Sequence, residues 1–335
     1  MTGVLSALTP LYAAAVAAKN TAYDRGWITP KRLRWPVVSI GNLSVGGSGK
    51  TPLTMRLAEL LRERGVAVDV LSRGYGRRSN AVERVDPKGR AEEFGDEPLL
   101  IARAAGVPVF VGSSRYAAGV LAEGAAAGAG LHLLDDGFQH RQLARDVDLV
   151  VLHRSDFSAR LLPAGRLREG FESLRRAGIL VLREEDADLE AGLRERGLRQ
   201  PIWWMERHLD VPKVQRGVAF CAIARPEEFF SGARDQGVQV AATRSWRDHH
   251  LYTEADAAEL VELRRQHGAD AFLTTEKDRV RLTPETLRLL EAAAPVHGTR
   301  LRVRLREEAA AMDQLSALLT AAGGAPNRAG SPRRA

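Results

Sequence analysis

Pro36-Val37-Val38-Ser39-Ile40-Gly41-Asn42-Leu43-Ser44-Val45-Gly46-Gly47-Ser48-Gly49-Lys50-Thr51 is the stretch that decides the fold of this 335-residue chain. The β-branched run up to Ile40 reads as a buried strand, and residues 51–64 read as an amphipathic helix that Gly65 stops. Between them lies a glycine-rich turn, and strand, glycine loop and helix in that order are the context of a phosphate-binding loop. Glycine lets consecutive backbone N–H groups turn inward toward phosphate oxygens. The N-terminus of the following helix adds a partial positive charge. In this reading Gly46, Gly47, Ser48 and Gly49 cradle the phosphates and Lys50 holds the β- and γ-phosphates. Thr51 gives its hydroxyl to magnesium, so ATP and Mg2+ are the expected ligands. Ser44 stands where the pattern has its first glycine, but Gly46 and Gly47 follow at once and the loop can still turn.

Working outward, short apolar runs at 66–71, 107–111, 131–134, 147–152 and 179–182 read as strands. Residues 97–105 and 115–127 read as helices between them. The alternation predicts an α/β fold with a mostly parallel sheet sandwiched by helices, as in P-loop NTPases. Beyond Pro201 a second series begins, with strands at 202–206, 218–223, 238–242 and 271–274 and helices at 226–232 and 254–267. A late strand at 301–305 is expected to pair with the segment near 203–205, joining a smaller α/β domain through a two-stranded linker. The expected divisions are 1–30 for an N-terminal helix region, 31–200 for the P-loop domain and 201–216 for a linker strand. Residues 217–297 form the smaller domain, 298–322 the returning strand and last helix, and 323–335 a disordered tail.

A phosphate loop that serves ATP needs a carboxylate at the end of a neighbouring strand to hold magnesium. The apolar strand that runs into Asp135-Asp136-Gly137 supplies two, although turn-forming acids would look the same. Asp96 and Glu97, just before Pro98, fit two roles equally: opening a helix, or placing a carboxylate near an attacking hydroxyl. Arg73 and Arg77, around Gly74-Tyr75-Gly76, fit either a loop that meets phosphate or a solvated basic loop. His249 and His250 follow Asp248 in the second series, where they reach the phosphate site only if the two halves close on each other.

The formal charge of +7 belongs to the two ends. Residues 1–34 carry a net +4 and the last thirteen residues a net +3, leaving a neutral body that excludes a broad nucleic-acid surface. Cys221 is the sole cysteine, so no disulfide can form within the chain. It sits in an apolar run and reads as a small buried hydrophobe. The histidines show no zinc spacing. Residues 4–18 are largely apolar but short of the about 20 needed to span a bilayer. No basic residue precedes them, which argues against a secretion signal. Leu5, Leu8, Tyr12 and Val16 share a helical stripe followed by cationic residues, which suits either a helix in a membrane interface or one packed on its own domain.

Taken together, these segments resemble the tetraacyldisaccharide 4'-kinase family, the lipid A 4'-kinases of Gram-negative bacteria. The resemblance rests on 38–52, Ser72-Arg73-Gly74-Tyr75-Gly76, Gly95-Asp96-Glu97-Pro98 and Asp135-Asp136-Gly137-Phe138-Gln139-His140. It continues through 162–169, Asp248-His249-His250 and Thr274-Thr275-Glu276-Lys277-Asp278, covering roughly residues 5–305. The family also has serine at the Ser44 position. The resemblance implies transfer of the γ-phosphoryl group of Mg-ATP to the 4'-hydroxyl of an acylated glucosamine disaccharide 1-phosphate. It implies an N-terminal helix on the cytoplasmic face of the inner membrane, with no nucleic acid and no protein partner required. By the same resemblance Asp135 and Asp136 join Thr51 at magnesium, and Asp96 is the general base, aided by His249 rather than His250. Glu97, Glu169, Lys277 and Arg73 become supporting polar residues.

A regulatory P-loop NTPase without a small-molecule acceptor is the alternative. The extra lysine of partitioning ATPases is missing from Leu43-Ser44-Val45, and Thr275-Glu276-Lys277-Asp278 has the wrong order for guanine recognition.

Overall fold

The structure, a computed structural model, describes residues 2–323. Most of the tail expected to be disordered therefore lies outside the described residues. Helix α1 (Thr2–Asp24) leads to β1 (Val37–Asn42), the phosphate loop and α2 (Lys50–Glu63). Next come β2 (Val68–Ser72), β3 (Glu83–Arg84), α3 (Ala91–Phe94), α4 (Asp96–Ala104), β4 (Val109–Val111), α5 (Arg115–Ala125), β5 (Leu131–Asp135) and β6 (Val147–Val151). β7 (Ile179–Arg183), α6 (Leu189–Glu195) and β8 (Ile202–Asp210) complete this half. The rest comprises β9 (Arg216–Cys221), α7 (Pro226–Asp235), β10 (Gln239–Ser245), α8 (Glu254–His267), β11 (Ala271–Thr275) and α9 (Glu276–Arg279). α10 (Pro284–Ala293), β12 (Val296–Leu305) and α11 (Glu308–Ala321) end the described chain.

Among the described residues the strands form one twelve-stranded sheet in the order β10-β9-β11-β12-β8-β7-β6-β1-β5-β2-β4-β3. β1 lies between β5 and β6, parallel to both, which puts the phosphate loop at the carboxyl end of the central strands. That is where α/β sheets bind ligands, because helix N-termini and strand ends converge there. The central strands are buried on both faces, as parallel strands covered by helices must be. Val38, Ile40, Leu133 and Leu149 pack with Leu53 and Leu57 of α2 on one side; Val150, Leu180 and Phe138 pack on the other. α2 ends as expected at Gly65, whose φ of 73° suits glycine. Gly65 N–H bonds Arg62 O and Val66 N–H bonds Leu61 O, closing the last turn.

The expected two-stranded link is present and longer than expected. β12 pairs with β11 through Val296–Thr299 and then with β8, antiparallel, from Arg300 against Asp210 to Leu305 against Met205. Each strand gains length because it has a partner in both halves. Helix α10 was not foreseen, although Thr283 caps it through Thr286 N–H and Pro284 sits in its first turn.

The stripe expected on α1 is divided. Tyr12 and Val16 are half-buried against the body, whereas Leu8 and Leu11 face solvent at 48% and 70% exposure. Leu5 has no described side chain. The Tyr12 hydroxyl donates to Arg168 O and Lys19 Nζ to Gln139 O, so the inner face leans on loops of the site. Among the described residues no helix is long and apolar enough to cross a membrane.

Candidate active site

The phosphate loop forms one wall of a cleft of about 910 Å3, and residues of both halves line it. Gly46 and Gly49 take φ of 102° and 95°, a region closed to most side chains, so the loop's shape depends on them. A Cβ on Gly46 would also fall 2.5 Å from Arg166 Nη2. Arg166 Nη2 donates to Val45 O at 2.9 Å, and Arg225, from the second half, donates to Gly47 O at 2.7 Å. Two guanidiniums thus hold the loop from outside and leave its interior open. Ser48 Oγ is buried with no hydrogen-bond partner among the described residues, an orphan group that a phosphate oxygen would satisfy.

Asp135, at the end of β5, is buried and accepts from Thr54 Oγ1 at 3.2 Å. Burial, with Glu97 and Asp136 close by, pushes its carboxyl up to about 7. Asp136 adopts the left-handed region at φ 51°, which turns its side chain toward Lys50. Its carboxylate lies 3.5 Å from Lys50 Nζ and accepts from Arg168 Nη1 at 2.9 Å. Burial works against its charge, but Lys50 and Arg168 outweigh it and hold the carboxyl down at about 2. Gly137 follows because a Cβ there would fall 2.6 Å from Ser39 Oγ. Asp135 and Asp136 crowd two carboxyl groups beside the loop, and Thr51 opens onto the same cleft. A divalent cation fits that donor set. Among the described residues no group of three or more His, Cys, Asp or Glu could hold a metal by itself. Magnesium, which keeps waters and takes substrate phosphate oxygens, needs only one or two carboxylates.

Across the cleft Asp96 begins α4, nearly buried at 5% exposure. Its Oδ1 accepts from Glu97 N–H at 2.9 Å, and its Oδ2 meets His249 Nδ1 at 3.0 Å. Arg281 Nε donates to Oδ2 at 2.8 Å, and Arg281 Nη2 pairs with the same oxygen. Lys277 Nζ donates to Glu97 Oε1 at 2.9 Å and lies 3.9 Å from Asp96 Oδ2. Burial opposes ionisation of Asp96, but His249, Lys277 and Arg281 overcome it and keep the carboxyl far below the usual range. His249 is in the left-handed region at φ 65° and packs its ring 5.1 Å from Tyr75. His250 points elsewhere: its Nε2 bonds Asp256 Oδ2 at 2.9 Å and its ring stacks on Trp246.

Gly46 to Thr51, Asp135, Asp136, Glu97, Arg73, Lys277 and His249 therefore all line one cleft, with Asp96 just behind His249 and Lys277. Glu169 does not line it. It is buried, accepting from Arg176 Nη2 at 2.7 Å and Asn20 Nδ2 at 3.2 Å, and ties α1 to the segment that carries Arg168. Arg77 is occupied by Glu83 and Ala81 O, which removes it as a phosphate contact. Cys221 is buried, and burial pushes its thiol up, as suits an inert small hydrophobe. Arg115, Arg168, Arg225 and Arg281 were missed. Arg115 opens α5 and lines the cleft; burial and nearby Arg73 lower its guanidinium to about 10. Arginines in helices and loops carry no local signal of what they will meet across the chain. Only Arg281 had a hint, lying three residues after Asp278 on the same short turn.

The family model described as Tetraacyldisaccharide-1-P 4'-kinase matches residues 1–320. The tetraacyldisaccharide 4'-kinase of Koribacter versatilis is 44% identical over 323 residues, spanning 93% of this chain and 97% of its own. That of Geobacter metallireducens is 39% identical over 315 residues, spanning 85% and 90%. Among solved structures, an "apo" form of LpxK from Aquifex aeolicus in complex with ATP superposes with a TM-score of 0.75. It is 32% identical, and the match covers 95% of this chain and 99% of that one.

Proposed function

The chain belongs to the tetraacyldisaccharide-1-P 4'-kinase family, and on that premise we propose that it moves the γ-phosphoryl group of ATP to the 4'-hydroxyl of an acylated glucosamine disaccharide 1-phosphate, a step of lipid A biosynthesis. The observation that carries this reading is the carboxyl group of Asp96 bonded to His249, facing a phosphate loop across a cleft that both halves line.

Gly46, Gly47, Ser48 and Gly49 wrap the triphosphate with backbone N–H groups, and Lys50 turns from Asp136 to the β- and γ-phosphates. Thr51, Asp135 and Asp136 are the residues that would hold magnesium. Bound there, the ion offsets phosphate charge and aligns the groups for in-line transfer. Asp96 Oδ2 already accepts from Arg281 and from His249, and a carboxyl held so low is a poor proton acceptor. We therefore assign proton acceptance from the 4'-hydroxyl to Nε2 of His249, with Asp96 fixing the ring through Nδ1, the division of labour seen in Ser-His-Asp triads. This moves the base from Asp96, where the sequence reading put it, to its partner. Lys277 and Glu97 hold the rim of the cleft, Arg73 offers positive charge, and Glu169 supports the loop of Arg168.

The lipid acceptor explains the outer face of α1. Leu8 and Leu11 on α1 and Trp27 and Ile28 just after it are exposed, and Lys19, Arg25, Lys31, Arg32 and Arg34 belong to the same stretch of sequence. Apolar side chains amid cations suit the interface of an anionic bilayer, here the cytoplasmic face of the inner membrane. Residues 31–200 act as the nucleotide half and 217–297 as a half that closes over it through β8 and β12.

ATP consumption measured with and without the acylated disaccharide 1-phosphate in mixed micelles tests the reading. Consumption should depend on the acceptor and leave label in the lipid. Acceptor-independent hydrolysis with no labelled lipid would favour the regulatory NTPase.

A further inference from the structure

We propose that Arg281 is a positioning residue that assembles the Asp96–His249 pair and fixes its electrostatics; the proposal rests on the catalytic reading above. Its side chain is 1% exposed, so water does not satisfy its donors. Its guanidinium bonds converge on one small region. Nε and Nη2 reach Asp96 Oδ2, while Nη1 donates to Ala222 O at 2.7 Å and Asp278 Oδ1 at 3.0 Å.

Those bonds control both members of the pair. Asp96 is held directly, at Oδ2. His249 is held through the backbone, because its own N–H donates to Ala222 O at 3.3 Å, the same carbonyl that Arg281 grips. Ala222 N–H is fixed in turn by Asp278 Oδ1 at 2.9 Å, and the Tyr252 hydroxyl donates to that oxygen at 2.9 Å. One guanidinium thus sets the separation of a carboxylate on α4 and an imidazole carried by the other half. Since Asp96 comes from the first half and Arg281, Ala222 and His249 from the second, the pair is complete only when the halves meet. An arginine suits the task because its planar fork fixes direction, which a lysine ammonium does not.

A purely structural ion pair would do none of this. Removing a buried cation beside the pair favours whichever of its groups is protonated, so the acid limb of the pH–rate profile must move to higher pH. The other charges facing the pair stay in place: Lys277 from α9, Glu97 from α4, and Asp248 and Asp278. Geometry suffers too, and a misplacement of about 1 Å can cost on the order of 100-fold in rate.

The test compares Arg281→Met, Arg281→Lys and wild type as full chains in mixed micelles, by pH profiles of kcat/KM with ATP saturating, thermal melting and nucleotide titration. Arg281→Met should lose about 10- to 100-fold in kcat, hold its ATP affinity within about twofold, and shift the acid limb upward by about half a unit or more. Arg281→Lys keeps the charge and loses the fork, so its limb should stay near wild type while kcat falls. An unmoved limb in Arg281→Met, or kcat equal to wild type, overturns the proposal. If Arg281→Met does not fold, Arg281→Lys decides: unchanged kcat overturns it, and reduced kcat with an unmoved limb supports it. A wild-type chain that transfers no phosphoryl group contradicts the functional reading itself, whereas an active wild type with indifferent Arg281 variants contradicts only this inference.

Discussion

Asp96 Oδ2 and His249 Nδ1 lie 3.0 Å apart although 153 residues separate them in the chain. The contact joins the N-terminus of α4 to the turn after β10, and Lys277–Glu97 runs beside it. Two contacts from the start of α4 to the second half, one to the turn after β10 and one to α9, make closure of the halves and assembly of the catalytic pair one event.

If those residues act as a unit, their losses will not add. His249→Ala and Asp96→Asn should each lower kcat by about 100- to 10,000-fold. The double variant should be little worse than the poorer single one. Nucleotide titration should give ATP affinities within about twofold of wild type, because neither side chain belongs to the phosphate loop. Equal losses of kcat and ATP binding would mean that the contact only holds the halves together.

Thr51 and Lys50 separate metal from nucleotide. Thr51→Ala should raise the magnesium concentration for half-maximal rate by about tenfold, while excess magnesium restores much of kcat. Lys50→Ala should lower kcat at every magnesium concentration, since the lost charge serves the phosphates directly. Titrating magnesium at fixed ATP distinguishes the two. Chelation with EDTA should abolish turnover by wild type, and added magnesium should restore it.

How much of this was legible depends on how local each feature is. The phosphate loop, the sheet around it and the acids at the end of β5 are written in runs of a few residues and are legible there. The choice between His249 and His250 was not legible from their adjacency. The structure separates them because Asp256, in the Thr253 capping box of α8, already engages His250. Arg281 and Arg225 escaped notice because their partners, Asp96 and Gly47, lie 185 and 178 residues away. The stripe on α1 was half right: helical periodicity shows that a face is apolar, not which part of it the body covers.

Helix α1 allows a surgical version of the membrane test. Leu8→Glu with Leu11→Glu alters only the exposed side and spares Tyr12 and Lys19, which hold the site loops. Burying two leucines contributes about 3 kcal/mol, so sedimentation with anionic vesicles should weaken on the order of 100-fold. ATP binding should not change. Deleting residues 1–30 should in addition lower kcat, because Arg168 and Gln139 lose their supports. Unchanged vesicle binding in the double variant would show that this face does not meet lipid.

Glu228 gives a pH signature of a further contact between the halves. Its carboxylate accepts from Arg207 Nη1 at 2.7 Å and Arg183 Nη2 at 3.1 Å, with His153 Nε2 3.4 Å away. Burial opposes its charge, but His153, Arg207 and Arg183 outweigh it and hold the carboxyl well below the usual range. A depressed carboxylate stabilises the fold above its unfolded value of 4.5 and loses that contribution as pH falls through the folded value. Glu228→Gln should therefore be less stable than wild type by roughly 2 kcal/mol in urea at pH 6. The difference should shrink steadily below pH 4.5. A difference that is the same at pH 6 and in strong acid would show that charge is not its source.

The central claim is that phosphate passes from ATP to one particular sugar hydroxyl, and phosphorus NMR of the lipid product tests it most directly. After incubation with ATP, magnesium and the acylated disaccharide 1-phosphate, the product should show a second phosphomonoester resonance coupled to the proton on C4'. His249→Ala, treated alike, should leave the starting lipid unchanged. A wild-type reaction that releases inorganic phosphate without the new resonance, or places it on another carbon, would contradict the account.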